Sequence, residues 1–150
     1  MSALILSILA IFIASVTAAA QVISLRRQRK YAMTQALFQL QLFLAQPHLR
    51  SARAVVRQDC WDGTDREVAG LICSSFDFAG LMVRRGLVDQ GVFFEYWGPI
   101  LCLFEKRLAG FLDERVGGDL CGRDYWRDFQ WIIEESTRRG HGRLRPWQRL

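Results

Sequence analysis

The residues of this sequence able to do chemistry are few and scattered. Its 2 histidines stand far apart, His48 beside Pro47 and His141 in a glycine-rich tail, so a histidine-based metal site or general base has little to draw on. Some small helical nucleases cut RNA with an arginine separated from a later histidine by four to six residues. Here Glu134, Glu135 and Ser136 occupy the places where His141 would need that arginine, and nothing basic precedes His48 at that spacing. The 4 cysteines, Cys60, Cys73, Cys102 and Cys121, include no pair three apart, which excludes a zinc ribbon and a C-x-x-C redox pair and leaves them as reduced thiols. No serine-hydrolase elbow, P-loop, dinucleotide fingerprint or H-E-x-x-H helix is present. The expectation is a non-enzymatic protein with no catalytic residues, no metal site and no cofactor. Phe93, Phe94, Tyr96, Trp97, Tyr125, Trp126 and Trp131 concentrate aromatic rings in one stretch, and at helical spacing such rings build a core more often than a ligand box.

Charge carries more information than catalytic motifs. Residues 26–58 hold seven basic side chains and no acid, residues 59–135 are net acidic, and residues 136–150 hold five arginines and no acid. The net +5 therefore hides a basic, acidic, basic order. A basic segment is explained by anionic lipid headgroups, each Lys or Arg near the surface contributing about 1 kcal/mol, so nucleic acid is not required. The acidic middle reads as the solvated face of a helical bundle or as a partner-binding surface.

These charges must be positioned by helices, and the first is apolar throughout. From Ala3 to Leu25 no residue is charged, and at about 1.5 Å per residue the run reaches roughly 34 Å, enough to cross a bilayer with some tilt. A cleaved signal peptide would need a basic n-region and a shorter apolar stretch. Arg26, Arg27, Arg29 and Lys30 follow at once, a membrane-interface collar that places the N-terminus outside and the body in the cytoplasm. Reduced cysteines agree with that compartment. Within the run Ala10, Ala14 and Ala18 recur every four residues, a candidate helix–helix face.

Beyond the collar, Met33, Ala36, Leu37, Leu40, Phe43 and Leu44 follow helical spacing, so the helix is expected to continue to about Ala45. Pro47 restarts a helix over 47–58, with Leu49, Ala52 and Val56 on an apolar stripe and Arg50, Arg53 and Arg57 on a basic stripe facing solvent or the membrane surface. Thr64 and Glu67 form a capping box for a helix over 65–85, which Gly86 ends. In it Asp77 reads as a solvent-edge carboxylate or as an arginine partner. Asp89 caps a helix over 90–115, where Gly98-Pro99 predicts a kink or two shorter helices. A last helix covers 123–138, and the tail after Arg139 has no period. Apolar residues at 51%, charged residues at 23% and only 3 prolines exclude a disordered or low-complexity chain, and 150 residues leave room for one core.

The segment Arg84-Arg85-Gly86-Leu87-Val88-Asp89, then Phe94-Glu95-Tyr96-Trp97-Gly98, Leu112-Asp113-Glu114-Arg115, Tyr125-Trp126 and Phe129-Gln130-Trp131, resembles a family of short bacterial proteins with an N-terminal membrane helix and a helical cytoplasmic domain, catalogued as a domain of unknown function. The resemblance covers residues 65–132. It implies an all-α, membrane-anchored bacterial protein and brings no activity to transfer.

The expected architecture is all-α, one N-terminal transmembrane helix (1–25) extended into a cytoplasmic bundle of about five helices (26–138), with a basic tail (139–150). The expected role is that of a single-pass inner-membrane protein whose domain binds a protein partner or itself. The alternative is an oligomeric, membrane-perturbing effector of the phage-defence or toxin type.

Overall fold

The computed structural model describes residues 2–58, 65–117 and 126–141, with side chains described for 11–58, 65–114 and 126–141. Among them the chain is all-helical: α1 (Ser2–Leu44), α2 (Pro47–Arg57), α3 (Arg66–Arg84), α4 (Gln90–Gly117) and α5 (Arg127–Arg138).

The helix ends follow local chemistry. Pro47 stands in the first turn of α2, where its missing N–H costs nothing. Asp65, rather than the expected Thr64, caps α3, its Oδ1 accepting from Val68 N–H at 3.0 Å; Thr64 itself lies outside the described residues. Gly86 follows α3 at φ 67°, a left-handed turn that glycine enters without a Cβ clash. Asp89 caps α4 as expected, accepting from Val92 N–H at 3.0 Å.

α4 runs through Gly98-Pro99 as one helix, so the expected division into two is corrected. Pro99 cannot donate to the Glu95 carbonyl. Both residues lie on the exposed side, where water can take the free carbonyl and the break is tolerated.

The core is aromatic and centres on α3. Phe76 meets Trp97 at 5.4 Å and Phe104 at 5.5 Å on α4, and Phe129 at 6.4 Å on α5. Each fully buried phenylalanine contributes about 1.5–3 kcal/mol through area removed from water. Leu40 and Leu44 of α1, Val56 of α2, and Ile132 of α5 close the same cluster. Of the aromatic rings expected in the core, Phe93, Phe94 and Trp97 are buried whereas Tyr96 is exposed.

Among the described residues no helix is long and apolar enough to cross a membrane. The transmembrane part of the expectation is thus not supported by them.

Candidate functional site: the outer face of the long helix and an arginine pocket

Two features are not absorbed by the core. The first is the outer face of α1. The bundle takes only its last turns, burying Leu40 and Leu44, whereas Ile11, Phe12, Ile13, Ile23 and Leu25 are more than half exposed. Arg26, Arg27, Arg29 and Lys30 are all exposed, and Lys30 also borders a cavity of about 170 Å³ with Asp89, the cap of α4. Ala14 and Ala18 are exposed; the side chain of Ala10 lies outside the described residues.

Seven-residue spacing along this helix reveals a seam that the alanine row only touches. Ala14, Gln21, Gln28, Gln35 and Leu42 recur every seven positions, and Thr17, Ser24, Tyr31 and Phe38 follow the first four by three. All nine are exposed. At about 100° per residue they drift from about a quarter turn from Leu40 at Ala14 to about half a turn at Tyr31 and Leu42, the later positions facing away from the bundle. The seam carries no charge; of the four collar residues Arg27 falls beside it, while Arg26 lies on the opposite side of the helix. The signal is legible in the sequence as a glutamine repeated every seven residues, at Gln21, Gln28 and Gln35.

The second feature lies where α2 and α4 meet beyond the end of α1. A cavity of about 240 Å³ is lined by Arg50, Arg53, Arg57, Tyr96, Trp97 and Ile100. Arg53 is only 8% exposed, against the expectation of a solvent-facing stripe. Its guanidinium donates to the Leu44 carbonyl at the end of α1 and lies 5.3 Å from the Trp97 ring centre. A cation at a helix C-terminus meets orphan carbonyls and the negative end of the helix dipole, which is what draws this side chain inward. Burial, and then the neighbouring charges of Arg57 and Arg50, lower the Arg53 pKa. Among the described residues no carboxylate forms an ion pair with any of the three arginines. The Trp97 indole N–H is buried without a hydrogen-bond partner.

The remaining polar groups hold the bundle together. Asp77 is neither a solvent-edge carboxylate nor an arginine partner: its Oδ1 accepts from Asp128 N–H at 2.9 Å and Phe129 N–H at 3.0 Å, capping α5 from another helix. α5 needs this, because its own N-cap residue, Trp126, sits at φ 53° and offers no side-chain cap. On the same face of α3, Ser74 accepts from Trp126 Nε1 at 3.1 Å and Arg84 Nε lies 2.7 Å from Asp128 Oδ1. Between α4 and α5, the buried Ser136 hydroxyl donates to the Gly98 carbonyl at 2.8 Å, and Thr137 donates to Glu105 at 2.9 Å. Glu135 is clasped by Arg138 and Arg139. Its hydrogen bond from Arg139, acting against burial and aided by Arg138, holds its carboxyl below the usual range.

Cys73 and Cys102 are buried free thiols, while Cys60 and Cys121 lie outside the described residues. His141 packs its ring against Gly98, so it serves as a structural contact. No group of three metal-ligating side chains occurs among the described residues.

No curated protein and no solved structure matches the chain. A family model does, over residues 4–136, from the α1 run through the Glu135–Ser136 end of the α4–α5 seam, and the chain therefore belongs to the DUF4760 family, a domain of unknown function.

Proposed function

We propose that this chain is a single-pass protein of a bacterial inner membrane, N-terminus outside and bundle in the cytoplasm, that self-associates through α1 and so presents its helical domains in pairs. The observation that carries the reading is the exposed outer face of α1. Its apolar side chains between Ile11 and Leu25 stand in solvent unless lipid covers them, and such an area exceeds what a soluble surface sustains. The uncharged run from Ala3 and the collar of Arg26, Arg27, Arg29 and Lys30 support insertion with the collar at anionic headgroups.

The uncharged seam supports a second copy as the partner. A seven-residue repeat on one helix matches the same repeat on a parallel copy, and amide side chains at the central position fix register and oligomer state. Inside or near the membrane, small residues let the backbones approach and glutamine can hydrogen-bond across the pair.

Disulfide crosslinking in membranes tests this, in a background with Cys60 and Cys121 replaced by serine. Gln28→Cys and Gln35→Cys are expected to give dimers under mild oxidation, while Arg26→Cys on the opposite side is not. Equal crosslinking at all three positions, or none at any, would sink the reading. Ring-sized oligomers together with membrane depolarisation on overexpression would favour the membrane-perturbing effector instead.

A further inference from the structure

We infer that the cavity between α2 and α4 is a binding site for a phosphoryl group, held by Arg50, Arg53 and Arg57 with Tyr96 as the wall for whatever organic moiety the phosphate carries. The inference is independent of self-association and uses a different part of the molecule.

Three guanidinium groups border one cavity of about 240 Å³ and among the described residues none of them is paired with a carboxylate. Arginine is the side chain suited to this task, since its planar fork donates in pairs to phosphate oxygens and stays charged when partly buried. Crowding like charges is unfavourable unless something opposes it. The Leu44 carbonyl does so in part for Arg53, and the Ala45 carbonyl, 3.5 Å from Arg50 Nη2, does so weakly for Arg50, which leaves Arg57 and the remaining N–H groups of Arg50 for a ligand at the opening. Both of those residues are exposed, so their positions are not dictated by packing. Arg53 is held in place between the end of α1 and the Trp97 ring, and therefore supplies a preorganised charge at the floor. Tyr96, 64% exposed, sits edge-on to Trp97 with ring centres 5.5 Å apart, and its free face can stack an attached planar group.

The phosphoryl group could belong to a soluble ester or to a lipid headgroup. Leu44 lies 19 residues past Leu25, or about 28 Å along a helix standing normal to the bilayer, which favours the soluble source. That preference rests on the membrane reading above; the phosphoryl chemistry does not.

The test is calorimetric titration of the full chain in non-ionic detergent with inorganic phosphate and with pyrophosphate, beside full chain in nanodiscs with and without phosphatidic acid. The wild type is expected to bind pyrophosphate saturably and more tightly than phosphate. Arg50→Gln with Arg57→Gln should weaken binding at least tenfold while leaving the unliganded melting temperature unchanged. Arg85→Gln with Lys106→Gln, which removes the same charge from exposed positions elsewhere, should bind as the wild type does. Arg53→Lys retains the charge but loses the fork, and should fall between the two. A response to phosphatidic acid alone, abolished by the same pair of substitutions, would keep the phosphoryl site and assign its source to lipid. No saturable response to any probe at millimolar concentration, or equal weakening by the control pair, would overturn the inference.

Discussion

Gly70 and Gly80 occupy the same helix and should respond to alanine in opposite directions. A Cβ on Gly80 would stand 2.4 Å from the Asp128 carbonyl oxygen and 2.7 Å from its carbon, and backbone cannot swing aside. Gly80→Ala is expected to cost about 1–3 kcal/mol or more by forcing α5 off α3. A Cβ on Gly70 meets nothing within 4 Å, so Gly70→Ala should stabilise the helix by about 0.5–1 kcal/mol. Chemical denaturation of the two variants beside wild type reads both effects, and equal midpoints would show that the α3–α5 approach is looser than described. Cys73 offers a second residue-scale expectation. Burial, with the Asp77 charge adding to it, pushes its thiol up to about 12. The folded chain therefore holds this proton more tightly than the unfolded one. Its contribution to stability is complete below about pH 8.5 and is lost as pH rises toward 12. Iodoacetamide at pH 8 should leave Cys73 unlabelled in the folded protein and label it after denaturation, with mass spectrometry locating the adduct. Rapid labelling of native protein would contradict the burial.

At the scale of elements, α5 depends on α3 for its start. Asp77 supplies the acceptor that Trp126 lacks, so Asp77→Ala should cost about 1–2 kcal/mol, the range of a lost N-cap, whereas Asp77→Asn keeps an acceptor oxygen and should lose less. Hydrogen exchange at the first turn of α5 would report the loss locally, and unchanged protection there in the alanine variant would argue against a capping role. The other end of α5 is fixed by Glu135 between Arg138 and Arg139, with Arg139 also lying 4.4 Å from the Phe94 ring centre. A carboxyl whose folded pKa is depressed contributes stability above its unfolded pKa, near 4.3, and loses it as pH falls through the lower folded value. The melting temperature should therefore drop below about pH 4 in wild type and less steeply in Glu135→Gln. By contrast, the exposed Arg66–Glu114 pair at 2.6 Å is expected to contribute under about 1 kcal/mol, in line with its exposure on both sides.

For the whole molecule, the two ends of α1 have different owners. Its last turns belong to the bundle, its first described turns stand exposed among the described residues, and the pairing proposed for its outer face would fix how two bundles are presented. Sequence patterning by itself determined the helical class and most helix boundaries, because proline, glycine and cap residues act on their immediate neighbours: Pro47, Gly86 and Asp89 each did what their local chemistry dictates. It also carried the four basic residues at 26–30 and the seven-residue seam of α1, which depend only on spacing along one helix. What it did not carry is everything that relies on a second helix. Arg50, Arg53 and Arg57 share one spacing, and only the arrival of the Leu44 carbonyl and the Trp97 ring selects the middle one for burial. Asp77 is one carboxylate among many until α5 crosses α3 at Gly80 and presents two unpaired N–H groups. Helix formation is decided by interactions between residues three and four apart, and so it is written locally. Which polar side chain is drawn inward is decided by desolvation and by a partner 9 to 52 residues away, and only the tertiary structure brings that partner into reach.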